Sequence, residues 1–271
     1  MSAQPIGERR PRRGGRPGTL QSVTRALRAL DVIAACPDGI SAKGLAERLG
    51  LALPTVYHLL TTLVEAGHVV HLPDEHVFVL GYKARYLGQS LSRQLAVAPG
   101  IAGAVRWVHQ HADAAAYYAI YRGTEVVIAH VADSPRRPRV QPLDVGFHQA
   151  AHATAFGKIM LAAMDPQQRA DYLDKAGLQR WAPATICDRE VLEEHLEHVR
   201  QSQLALDINE FQLGLACMAV PVHDQAGGVA GSVAISLPVP EFRARRWTVE
   251  RAVRQGAARI TRSLVLEGRG R

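Results

Sequence analysis

The chain's 271 residues suffice for two domains, and 47% hydrophobic against 21% charged residues lets it bury a core, which excludes wholesale disorder. A formal charge of +7 points to an acidic partner. Three scattered cysteines, Cys36, Cys187 and Cys217, exclude a disulfide framework or metal knuckle and fit a reducing cytoplasm.

The charge is uneven. Residues 1–18 hold five arginines against Glu8, and residues 19–88 hold six basic and six acidic side chains. Residues 89–242 hold twelve basic and sixteen acidic side chains, and residues 243–271 hold nine arginines against two glutamates. The Pro/Gly-rich arm 1–18 cannot bury anything and is expected to be disordered alone. Arg16, in Gly15-Arg16-Pro17, is suited to a narrow A·T minor groove, the alternative being a solvated tail. Arg9-Arg10 and Arg12-Arg13 resemble an export signal, but the segment behind them holds Arg25, Arg28 and Asp31 and is no hydrophobic export core. The longest nearly apolar run, 95–105, contains Pro99 and two glycines and is too short to span a bilayer, so no membrane partner is expected.

From Thr19 the pattern is helical, with Val23, Leu27, Leu30 and Ile33-Ala34 recurring at three- and four-residue steps until Pro37-Asp38-Gly39. Ser41 is an N-cap for a short helix with Leu45, Ala46 and Leu49 on its apolar face, and Gly50 ends it. Pro54 opens a third helix whose inner stripe is Val56, Leu59, Leu60 and Leu63. Two alternating runs, 68–72 and 76–80, form a hairpin around Pro73-Asp74-Glu75. Helix, short helix, turn, helix and hairpin make a winged helix-turn-helix over 19–81. Its third helix fits a major groove, with Thr55 and His58 turned toward base edges or phosphates of double-stranded DNA. The expected DNA-facing set is Arg16, Ser41, Leu53, Pro54, Thr55, Tyr57, His58 and Thr62.

Residues 82–95 read as a connecting helix, assigned to a linker over 82–97, and a helix follows at about 100–112. Strands are expected at 115–121, 125–131, 215–223 and 228–237, and helices at 153–163, 188–201 and 241–266. The stretch 133–150 has three prolines and no period, so it is a loop, functional or mobile. Strands, helices and strands in that order suggest an α+β, sensor-like domain over 98–267.

His109-x-His111 and His195-x-x-His198 invite a metal reading, but no third ligand is placed nearby, and Glu193, Glu194, Glu197 and Arg200 look like a solvated face. No metal or cofactor is expected. An enzyme using Cys217 is the remote alternative, disfavoured because that thiol sits in an apolar strand. A further alternative is a DNA-binding protein whose second domain only oligomerises.

Residues 20–265 resemble the IclR family of bacterial transcriptional regulators. The likeness is carried by His152-Ala153-Thr154-Ala155-Phe156-Gly157-Lys158, by Asp207-x-x-Glu210-Phe211 with Gly214-x-x-Cys217, by Ala219-x-Pro221-Val222-x-Asp224 and by Thr55-Val56-Tyr57. The resemblance implies a GAF-like effector-binding domain behind the winged helix. It also implies a dimer or dimer of dimers on a palindromic operator, with repression the expected sense. It places a small organic or aromatic acid against Ala155, Phe156, Gly157, Asp207, Cys217 and Ser236. Ala234 stands where some relatives carry a serine, and Phe156 is bulkier than the residue often found there.

Overall fold

A computed structural model describes residues 20–268, so the arm 1–18 and Arg16 lie outside the described residues. The chain forms two compact units, one running to Ser90 and the other starting at Leu91.

In the first unit, α1 (Gln21–Ala34) buries Ala29 and Ile33. α2 (Ala42–Leu49) is capped by Ser41, whose hydroxyl accepts the Gly44 amide at 3.1 Å. It ends at Gly50, at φ 64, in the left-handed region where a side chain would be strained. α3 (Leu53–Glu65) starts with proline in its first turn and buries Val56, Leu60 and Leu63. β1 (Val69–Leu72) and β2 (Val77–Leu80) pair antiparallel, Val69 opposite Leu80. Ile40 bridges to Phe78, so the segment between α1 and α2 lies against the hairpin. α4 (Tyr82–Gln94) follows and buries no side chain.

The structure corrects the sequence pattern of α1. Val23 and Leu27 are 51% and 57% exposed, and the inward face is Ala26, Ala29, Leu30 and Ile33 instead. The helix has two apolar stripes, and the core of this unit covers only one.

The second unit is a sheet between helix layers. α5 (Pro99–Ala112) leads to β3 (Ala115–Arg122) and β4 (Glu125–Ala132), then a 3₁₀ turn at Ala151–Ala153 and α6 (Ala155–Ala163). α7 (Pro166–Ala176), α8 (Arg189–Ser202), β5 (Ala205–Ile208), β6 (Leu215–His223), β7 (Val229–Pro238) and α9 (Val239–Gly268) complete it. The strand order is β4-β3-β7-β6-β5, each neighbour antiparallel. Alternation splits the side chains between two cores. Tyr117, Ala119, Cys217, Ala219 and Ala234 join the core built with α6 and α8. Tyr118, Met218, Val220, Val233 and Ile235 join the core built with α5 and α9. α9 bends at Arg245 (φ −120, ψ 15). Sequence periodicity did not signal α7 or β5.

The 133–150 segment has no regular element and is anchored by ion pairs. Arg137 reaches Asp113 at 2.8 Å and Glu241 at 2.9 Å, while Arg139 pairs with Asp133 and Asp144. Among the described residues, no helix is long and apolar enough to cross a membrane.

Candidate functional site

The first candidate surface is the outer side of α3. Burying Val56, Leu60 and Leu63 turns Leu53, Pro54, Tyr57, His58 and Thr62 outward, all exposed, while Thr55 is half-buried. Two of the expected DNA-facing residues already have structural work. Ser41 caps α2, and the Thr62 hydroxyl donates to the His58 carbonyl at 2.9 Å.

The second candidate lies on the α6 side of the sheet. Antiparallel register sets Asp207 opposite Cys217, Cys217 opposite Ser236 and Ser236 opposite Ala115, so three of the expected effector residues form one cross-strand row. Two strand spacings separate the ends of that row, about 10 Å. Ala155, Phe156 and Gly157 form the first turn of α6, above the same core. Thr154, the cap residue, makes no side-chain cap, so the first-turn amides keep the donor capacity that suits a carboxylate. Gly157 is required sterically: a Cβ there would lie 2.2 Å from the Ala151 carbonyl oxygen.

All six expected effector residues are buried. Two clefts of about 310 and 470 Å³ are lined by groups including His148, His152, Trp181 and Tyr121, Met164, Lys175 respectively; neither is lined by Asp207, Cys217 or Ser236. The row is therefore closed in this conformation.

Its electrostatics are those of a buried polar cluster. Asp207 Oδ1 accepts the amides of Glu210 (2.9 Å) and Phe211 (3.1 Å), while Oδ2 is buried with no hydrogen-bond partner among the described residues. Burial pushes the Asp207 carboxyl up to about 6 despite those two bonds. Burial also drives the Cys217 thiol well above its usual range, with the Asp207 carboxylate adding to the effect, so the thiolate is disfavoured.

Sequence reasoning missed four neighbours. Fully buried Lys158 pairs with Glu210 and donates to the Leu206 carbonyl at 3.1 Å, joining the two most specific motifs in space. Both residues stood inside the quoted motifs, so that signal was present. His195 Nε2 is buried with no hydrogen-bond partner among the described residues, and burial, with Lys158 nearby, lowers its pKa to about 4. Tyr117, with no motif around it, shares a 3.0 Å hydrogen bond with Ser236.

Three of the four histidines in the tempting pairs bond to nearby backbone carbonyls. His109 Nδ1 donates to Ala114 O, His111 Nδ1 to Trp107 O and His198 Nδ1 to Glu194 O. Among the described residues no group of three or more His, Cys, Asp or Glu has metal-binding geometry.

The family model for the C-terminal domain of the bacterial transcriptional regulator IclR matches residues 93–262, and that for the IclR helix-turn-helix domain matches residues 22–73. The chain belongs to the IclR family. This IclR-family chain is 32% identical over 253 residues to the glycerol operon regulatory protein of Streptomyces griseus, covering 90% of this chain and 96% of that protein. It is 28% identical to the HTH-type transcriptional repressor AllR of Klebsiella pneumoniae, over 90% of this chain and 91% of AllR. An IclR homologue from Microbacterium hydrocarbonoxydans, crystallised with 4-hydroxybenzoate, shares the fold at TM-score 0.67 and 22% identity, over 90% and 98% of the two chains.

Proposed function

We propose that this IclR-family chain is a ligand-responsive transcriptional regulator, a repressor, that binds a palindromic operator as a dimer or dimer of dimers in the cytoplasm. In this reading residues 1–18 are a basic arm, 19–81 read DNA, 82–97 link the domains and 98–267 sense a small organic or aromatic acid. The observation that carries it is the outer face of α3: Leu53, Tyr57 and His58 are exposed while the helix's other side is locked into the core. A helix held in this way presents its side chains to a major groove. The DNA-facing residues are Arg16, Ser41, Leu53, Pro54, Thr55, Tyr57, His58 and Thr62.

The sensing half rests on the Asp207–Cys217–Ser236 row beneath the first turn of α6. An acid would set its carboxylate near the amides of Ala155, Phe156 and Gly157, with Asp207 accepting from a hydroxyl at the far end. Since the row is closed, binding selects a more open conformer, and a tenfold change in operator affinity needs about 1.4 kcal/mol of differential binding. Self-association is supported by apolar side chains without cover: Leu20, Val23 and Leu27 before and on α1, and Tyr82, Tyr86 and Leu87 on α4. The repressor sense is supported by the name of AllR. The raised Cys217 thiol counts against the alternative of an enzyme that uses Cys217.

A thermal-shift screen of small organic and aromatic acids, followed by operator binding with the hit, tests the proposal. A hit that changes operator affinity is expected. Operator binding indifferent to every stabilising acid would leave the second domain with oligomerisation alone.

A further inference from the structure

Tyr117 is fully buried on β3 and lies on the same sheet face as the row. Its cross-strand partner is Ala234, which offers only a methyl group, and its ring carries the hydroxyl toward Ser236, 3.0 Å away. The same phenol oxygen accepts the Val140 amide at 3.1 Å. The two hydroxyls hold two hydrogens, and one is used between them. Whichever group donates, the other hydrogen has no acceptor among the described residues. A buried donor of this kind is costly unless an acceptor is supplied. Burial holds the Tyr117 phenol up to about 12, so it keeps its proton at neutral pH.

Val140 belongs to the 133–150 segment, anchored elsewhere by Arg137 and Arg139, with Leu143 buried beneath it. The Tyr117 oxygen is thus shared between the sheet and this segment.

We propose that Tyr117 is an effector-contacting, specificity-determining residue: the Tyr117–Ser236 pair donates its free O–H to a carboxylate or carbonyl oxygen of the effector, and the Val140 amide on the same phenol ties occupancy to the 133–150 segment. This rests on the effector reading above. It adds a residue to that site, a chemical requirement that the ligand carry an acceptor oxygen at the β3–β7 end, and a route by which the segment responds.

The test is calorimetric titration of the full chain with benzoate, 4-hydroxybenzoate, lactate and succinate, for wild type, Tyr117→Phe, Ser236→Ala and the double variant. Tyr117→Phe keeps the ring and removes the hydroxyl. It is expected to weaken the binding acid roughly three- to tenfold, the loss of one neutral hydrogen bond. Ser236→Ala is expected to do the same, and the double variant to lose less than both together, as for a coupled pair. Amide exchange at Val140 is expected to speed up in Tyr117→Phe without ligand, by more than at other amides of the second unit. That readout does not move if the hydroxyl is idle. Weakening by Ser236→Ala with unchanged affinity and Val140 exchange in Tyr117→Phe overturns the Tyr117 assignment and leaves the effector site standing. Binding of none of the four acids to wild type at millimolar concentration overturns the effector reading, and the assignment with it.

Discussion

At Gly157 one absent methyl group decides the local structure, because a Cβ would meet the Ala151 backbone rather than a yielding side chain. Gly157→Ala is expected to destabilise the second unit by about 2–3 kcal/mol, read by urea denaturation. Two buried titratable groups pull stability in opposite directions with pH. Asp207 is raised from 3.8 to about 6 in the fold, so its contribution is full below about pH 4 and is lost as pH rises through 6. His195 is lowered from 6.5 to about 4, so its contribution is present above 6.5 and is lost as pH falls through 4. Relative to wild type, His195→Gln is expected to gain stability on going from pH 7 to pH 5, and Asp207→Asn to lose it over the same interval. Denaturation midpoints at the two pH values check both signs. The residue scale was partly legible in sequence. Asp207 and Cys217 stood in quoted motifs and Ser236 was named by the resemblance alone, and antiparallel register sets the three in one row. Tyr117 was not, because its place depends on β3 pairing with β7, more than a hundred residues later in the chain.

Elements were legible where periodicity and caps agree. Ser41, Gly50 and Pro54 bound α2 and α3 as their chemistry dictates. α7 escaped because its sequence is polar, although Asp165-Pro166, a cap followed by a first-turn proline, marked its start. β5 escaped because four residues carry little periodicity. α1 was found but turned wrongly, since its pattern contains two apolar stripes and only tertiary packing chooses the inner one. The outer stripe makes its own prediction. If the proposed self-association uses this stripe, Val23→Glu or Leu27→Glu is expected to lower the mass in solution while leaving helix content intact, measured by light scattering and circular dichroism. An unchanged mass would rule this stripe out as the proposed contact. On α3, His58→Ala is expected to cost about 1–3 kcal/mol in specific DNA binding and far less in non-specific binding.

At the scale of the whole molecule, charge and fold divide the work. Residues 19–88, the winged helix with the start of the following helix, carry as many acidic as basic side chains, while residues 1–18 carry five arginines. In the proposed reading the arm adds attraction to phosphate that this stretch lacks. Every arginine–phosphate pairing removed with the arm lowers the log–log salt dependence by about 0.9, so deleting 1–18 is expected to flatten that slope by up to about 4.5. A full slope in the truncated protein would reduce the arm to a tail. The central claim is that the exposed side of α3 reads DNA sequence. Selection of bound duplexes from a random pool, with wild type and His58→Ala in parallel, tests it most directly. Wild type should enrich a two-fold symmetric site that His58→Ala enriches weakly or with altered bases; no sequence enrichment by wild type, or an identical site from both proteins, would contradict it.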